Sequence, residues 1–241
     1  MNRDPVRNGF QNNYCPRRSV FPLWTLLWVI LAFSFSSNWS DAAEAHDFSK
    51  WEKEIRAFEA IDVTNSPPKN AILFVGSSTI RMWKNLPQDY PNKKIINRGF
   101  GGSEIIDSTH FTERIIYPYK PSQIFLRAGG NDINAGKSPE QVLVDFRNFV
   151  ETIKARLPAT KIYFIGLSPS IARWKQAEKE KTLNQMVKDY AKTARDVVYI
   201  ETYDMVLGTD GKPRAELFLP DKLHFNQDGY LLLAEKVRPF L

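Results

Sequence analysis

Short apolar, β-branched runs alternate along this chain with longer segments of helical period, which restricts the fold to βα units wound around a parallel sheet. The runs lie at 71–75, 94–97, 123–128, 161–167 and 197–201 and predict five strands. Between the third and fourth, Val142, Phe146, Phe149, Val150, Ile153 and Leu157 recur at helical spacing. Ser138-Pro139-Glu140 is the start signal of that helix and Leu157-Pro158 ends it. Further helices are predicted over 104–117, 174–194 and 227–237, and Phe48, Trp51, Ile55 and Phe58 predict one more, packed outside the sheet. Asn65-Ser66-Pro67-Pro68 breaks that helix from the first strand and is too short for a domain linker.

The amino-terminal residues stand apart from this pattern. Arg3, Arg7, Arg17 and Arg18 precede an apolar run at 20–35, the layout of an export signal. Pro22, Thr25 and Ser34 interrupt the run, which falls short of the roughly 18 residues of a spanning helix. Ala43-Glu44-Ala45 supplies a small-x-small cleavage site ahead of His46. The expectation is an export signal over 1–45 and a single domain over 46–241, periplasmic or extracellular. Without cleavage, the same segment is a membrane anchor with the domain outside.

The single cysteine, Cys15, precedes the apolar run, which excludes disulfides and thiolate zinc sites from 46–241. The net charge of +6 is scattered along the chain, with no basic stripe or motif of the kind nucleic acid requires. The stretch from Lys175 to Lys181 mixes both signs and reads as a solvated helix face.

In open α/β sheets ligands bind beyond the carboxyl ends of the strands, and four polar constellations fall there. Gly76-Ser77-Ser78-Thr79-Ile80 follows the first strand and sets Ser78 at the start of a helix, as a helix cap or as a hydroxyl ringed by free N–H groups. Ile80 stands where the G-x-S-x-G elbow has its last glycine. Asn97-Arg98-Gly99-Phe100-Gly101-Gly102-Ser103 follows the second, either an ordinary glycine-rich turn or one whose Gly102 N–H meets a ligand. Ala128-Gly129-Gly130-Asn131-Asp132 follows the third, where Asn131 is a turn residue beside a capping Asp or an amide donor to a developing oxyanion. Asp221-Lys222-Leu223-His224 precedes the last helix, and an Asp three residues before a His lets the carboxylate fix the imidazole tautomer so that the other nitrogen can take a Ser proton. With three histidines in the chain, His46, His110 and His224, candidates for such a base are few.

Together, and in this order, the four motifs resemble the SGNH, or GDSL-type, hydrolase superfamily, closest to bacterial exported esterases with Gly-Ser-Ser in the first block. The resemblance runs from about Ala71 to Leu241. It implies a flavodoxin-like three-layer α/β sandwich with a five-stranded parallel sheet. Ser78 would be the nucleophile, His224 the base and Asp221 its orienting carboxylate, and the oxyanion hole would be the Ser78 N–H, the Gly102 N–H and the Asn131 side chain. Hydrolysis of a short-acyl ester, free or on a carbohydrate, would need no metal or organic cofactor. Rival readings are an acyltransferase that passes the acyl group to a sugar hydroxyl, and a non-enzymatic binding module that keeps the fold. The first block of the family usually carries Asp where this chain has Ser77, which bears on the rigidity of that loop. Arg98, Phe100, Arg127, Arg173 and Trp174 lie near strand ends, each as a contact to an acyl or sugar portion or as packing or an ion pair. His46 and His110 match no block.

Overall fold

The computed structural model describes residues 46–241; the expected export segment, with Cys15 and its cleavage site, lies outside the described residues. Five strands form one parallel sheet: β1 (Ile72–Gly76), β2 (Ile95–Gly99), β3 (Gln123–Arg127), β4 (Lys161–Ile165) and β5 (Val197–Ile200). Their order is β2-β1-β3-β4-β5, the flavodoxin-like winding. The chain steps from β1 to β2 on one side and then crosses to β3 on the other, so the loops after β1 and β3 flank the crevice where the winding reverses.

Nine helices cover the faces of the sheet: α1 (Glu52–Thr64), α2 (Ser78–Arg81), α3 (Leu86–Asp89), α4 (Ile105–His110), α5 (Thr112–Ile115), α6 (Gly130–Asn134), α7 (Pro139–Arg156), α8 (Ala177–Thr193) and α9 (Gln227–Val237), counted among the described residues. Successive strand residues point to opposite faces. Leu73, Val75, Ile124 and Leu126 meet Ile55 of α1, Ile105 of α4, Phe146 and Phe149 of α7 and Leu183 of α8. Ile72, Phe74, Phe125 and Tyr163 meet Ile80, Leu86 and Leu233 of α2, α3 and α9. Burial on both faces is why the strands read as continuous apolar runs and not as alternating ones. On the second face the register aligns Phe74, Phe125 and Tyr163, whose rings stack at 4.8 and 4.4 Å between centroids.

The five expected strands all form, with ends shifted by a residue or two. The long helix expected over 104–117 is instead α4, α5 and a 3-10 turn at Tyr117–Tyr119. Phe111 leaves the helical path and turns a buried ring edge-on to Phe100, at 6.1 Å, and Pro118 removes a donor further on. The helix expected over 174–194 opens with a 3-10 turn at Trp174–Gln176, and α8 follows it. α7 forms as its signals require, with Ser138 and Gln141 closing a capping box.

The first strand ends at a backbone junction. Gly76 has φ +132°, and a Cβ there would sit 2.1 Å from the Arg127 carbonyl oxygen on the neighbouring strand. The Ser77 N–H donates to that same oxygen at 3.0 Å, and the Phe100 N–H donates to the Gly76 oxygen at 2.9 Å. Three strand ends are therefore joined within two residues. Gly76→Ala is expected to cost about 2–4 kcal/mol of stability, from left-handed strain plus displacement of the third strand, as measured by urea unfolding.

Candidate active site

Ser77 stands in extended backbone (φ −88°, ψ −157°) as the residue before α2, and its side chain makes no capping hydrogen bond. The first N–H groups of α2 have no partner inside the helix. Ser78, the first helical residue, turns its hydroxyl away from the cap role and donates to His224 Nε2 at 3.0 Å. His224 Nδ1–H in turn donates to Asp221 Oδ2 at 2.7 Å, which leaves Nε2 as the acceptor.

The spacing of Asp221 and His224 is fixed by their own turn. Asp221 Oδ1 accepts from the Leu223 and His224 N–H groups at 2.9 and 3.0 Å, and Lys222 takes the left-handed conformation at φ +58°. One carboxylate thus orients the imidazole and organises the backbone that presents it. The hydrogen bond from the His224 ring, helped by these two N–H groups, holds the Asp221 carboxyl down at about 2, so it stays ionised through the neutral range. The other two histidines are engaged elsewhere. His46 bonds the buried Asp107 at 2.7 Å, and His110, exposed at the end of α4, stacks on Phe48 at 3.9 Å.

The loops after β2 and β3 are clamped together beside Ser78. Asn131 Nδ2 donates to the Ser103 carbonyl at 3.0 Å, and its Oδ1 accepts from Arg173 Nη1 at 2.9 Å. Asp132, fully buried, accepts the Ile105 N–H at 3.1 Å and so does cap α4, while burial lifts its carboxyl to about 6. Gly102 lies at φ +81° with Trp51 3.1 Å from where its Cβ would be, so a side chain there would be strained and crowded. Ser78, Gly102, Asn131 and His224 all line one cavity of about 260 Å³. Chemically, the arrangement offers a hydroxyl bonded to a proton acceptor, beside residues that carry amide N–H groups on the same cavity.

Behind these groups lies a layer of buried charge. Arg127, 4% exposed, reaches from the end of β3 to Ser168 Oγ at 3.3 Å and to the Gly166 carbonyl, and burial lowers its guanidinium to about 10. Glu180, 5% exposed, lines the same cavity; Oε1 accepts from Gln176 at 2.9 Å and Oε2 has no partner among the described residues. Burial raises its carboxyl to about 7 against the pull of Arg127 and Arg173.

Several expectations change here. The stretch from Lys175 to Lys181 is not a solvated face throughout, because Ala177 and Glu180 are buried. The signal was available in the helical period, which puts Ala177, Glu180, Leu183, Asn184 and Val187 on one stripe. Of the two readings of Arg98 the ion pair holds: it is buried, bonded to Tyr119 at 2.7 Å and paired with Asp62 of α1. Phe100 is fully buried core. Arg127 and Arg173 do line the cavity, whereas Trp174, 41% exposed, lines a separate hollow of about 520 Å³ that shares Arg173. Ser168 and Ser170, from the loop after β4, line the cavity without having carried any sequence signal.

A family model described as GDSL-like Lipase/Acylhydrolase matches residues 74–232. A comparison with curated proteins returned no match. Among solved structures, a protein of Streptococcus pneumonia provisionally named a platelet activating factor superposes with TM-score 0.71 at 22% identity, over 80% of this chain and 92% of that one. A GDSL-like lipase from Bacteroides thetaiotaomicron gives TM-score 0.67 at 17% identity, over 80% and 98%. An acetylxylan esterase from Geobacillus stearothermophilus gives 0.57 at 15% identity, over 71% and 94%. At these identities the likeness establishes the fold.

The buried carboxyl beside the cavity sets a pH test. With its folded value near 7 and its ordinary value at 4.5, Glu180 holds a proton in the folded state that the unfolded chain has lost, so its contribution to stability falls as pH rises across that window. Glu180→Gln removes the penalty. Melting temperatures taken at about pH 5 and about pH 8 should show the variant gaining on the parent protein at the higher pH. An equal gap at both would mean that Glu180 does not carry the titration.

Proposed function

The chain belongs to the GDSL-like Lipase/Acylhydrolase family and is a carboxylic ester hydrolase, and on that premise we propose that it cleaves short-acyl esters through an acyl intermediate on Ser78. The observation that carries the reading is the unbroken relay from Ser78 Oγ to His224 at 3.0 Å and on to Asp221 at 2.7 Å, opening on the cavity.

Each step follows from the groups present. His224 Nε2 takes the hydroxyl proton as Ser78 Oγ attacks the ester carbonyl, and Asp221, ionised throughout, stabilises the imidazolium that forms. The developing oxyanion faces the Ser78 N–H, the Gly102 N–H and the free N–H of the Asn131 amide. Collapse expels the alcohol with the proton from His224. Water then attacks the acyl carbonyl as it gives a proton to the same nitrogen, the bond to Ser78 Oγ breaks, and His224 returns the proton to Oγ as the acid leaves. Ser77 takes no part in proton transfer; its side chain leaves the first turn of α2 uncapped.

A cavity of about 260 Å³ suits a short acyl group better than a long chain. Its polar lining, with Arg127, Ser168, Ser170 and Arg173, suits a hydroxylated alcohol portion, and an acetylated carbohydrate is the substrate class we favour. The fold likeness to an acetylxylan esterase supports that choice. The basic, apolar and small-residue pattern of 1–45 supports an enzyme that works outside the cytoplasm.

Ser78→Ala and His224→Ala are each expected to lower kcat on a short-chain aryl ester by about 10⁴–10⁶, and Asn131→Ala by about 10²–10³. Product analysis with and without an alcohol acceptor decides between hydrolysis and acyl transfer: free acid as the main product in both supports the hydrolase, and a strong preference for the acceptor would reassign the enzyme as a transferase.

A further inference from the structure

We propose that Arg173 is the positioning residue that holds the Asn131 amide with one N–H directed into the ester cavity, an inference that rests on the reading of Asn131 as an oxyanion donor. A carboxamide is nearly symmetrical in shape, and turned the wrong way it would set an oxygen lone pair against the developing oxyanion. Two contacts decide the orientation. The Ser103 carbonyl can only accept, and it takes one Nδ2–H at 3.0 Å. The Arg173 guanidinium can only donate, and it gives Nη1–H to Oδ1 at 2.9 Å. A flipped amide would meet oxygen with oxygen at one end and donor with donor at the other. Nδ2 is left with a second hydrogen, and Asn131 and Ser78 line the same cavity.

The guanidinium does more than hold the amide. A cation bonded to Oδ1 draws electron density from the amide and makes the remaining N–H a stronger donor. Arg173 is itself well placed to do this. Its backbone N–H is tied to Ser170 Oγ at 3.2 Å, and Nη1 also reaches the Gly130 carbonyl, just before Asn131, at 3.3 Å. The preceding N–H, of Ala172, donates to the Lys222 carbonyl at 3.0 Å. The loop between β4 and α8 therefore touches both halves of the machinery, the amide donor through a side chain and the turn that carries Asp221 and His224 through its backbone.

The test is a double-mutant cycle with a short-chain aryl ester as probe. Arg173→Met keeps an unbranched apolar stem and removes the donor; it is expected to lower kcat by about 10–100-fold with KM changed less than about threefold. Arg173→Lys, which can still donate one hydrogen bond to Oδ1, should recover part of the loss. In the Asn131→Ala background Arg173→Met should cost less than about threefold more, because a positioning residue has nothing left to position. Should Arg173→Met not fold, as read by thermal melting, Arg173→Leu in the same two backgrounds takes its place.

A full multiplicative loss in the double variant would overturn the proposal and make Arg173 an independent contributor. So would a raised KM with kcat retained, which would mark a direct substrate contact, or parental kinetics in Arg173→Met while Asn131→Ala is deeply impaired. A loss below about tenfold in Asn131→Ala itself would instead remove Asn131 from the oxyanion hole, and the inference with it.

Discussion

The structure turns on a backbone contact where Gly76 ends the first strand. The carbonyl of Arg127 lies where a side chain at Gly76 would have to be, and the same carbonyl accepts the Ser77 N–H. The Gly76 carbonyl, in turn, accepts the Phe100 N–H from the second strand end. Three loops are thereby drawn to one point at the place where the winding of the sheet reverses. Ser78 follows on the first loop, Gly102 on the second and Asn131 on the third. What keeps them within reach of one another is main-chain hydrogen bonding, reinforced by Asn131 to Ser103 and Asp132 to Ile105.

The fourth loop arrives differently. Asp221 and His224 lie nearer the surface, with the Asp221 side chain 48% exposed, and their turn is tied to the loop after β4 by the Ala172 N–H, which donates to the Lys222 carbonyl. Their geometry is local: one carboxylate accepts the imidazole and two backbone N–H groups of its own turn. Below them the cavity is walled by groups that could not be more different in setting. Arg127 and Glu180 are buried, their ordinary charges opposed by desolvation, and they give the polar pocket a field set by the protein and not by water.

How much of this the sequence displayed depends on how local each signal is. The strands were legible because burial on both faces writes unbroken apolar runs. Asp221 and His224 were legible because a three-residue spacing closes its own turn. The break of the 104–117 segment was not, since helical propensity continues through Phe111, whose ring packs edge-on to the distant Phe100 where the helix is interrupted. For Arg98 the ion-pair reading holds, but its partner, Asp62, lies on a helix before the first strand and no local spacing points to it. Glu180 was hidden by the charges around it, although the stripe it shares with Leu183 and Val187 pointed inward. Arg173 carried only its place near a strand end, its bond to Asn131 spanning 42 residues.

The central claim is that Ser78 Oγ carries the acyl group. Peptide mass spectrometry after treatment with a serine-directed phosphonate tests it directly. The account predicts a single adduct, fragmenting to Ser78 and lost in Ser78→Ala and His224→Ala. An adduct on Ser77 or on any other serine, or ester turnover by protein that takes no label, would contradict it.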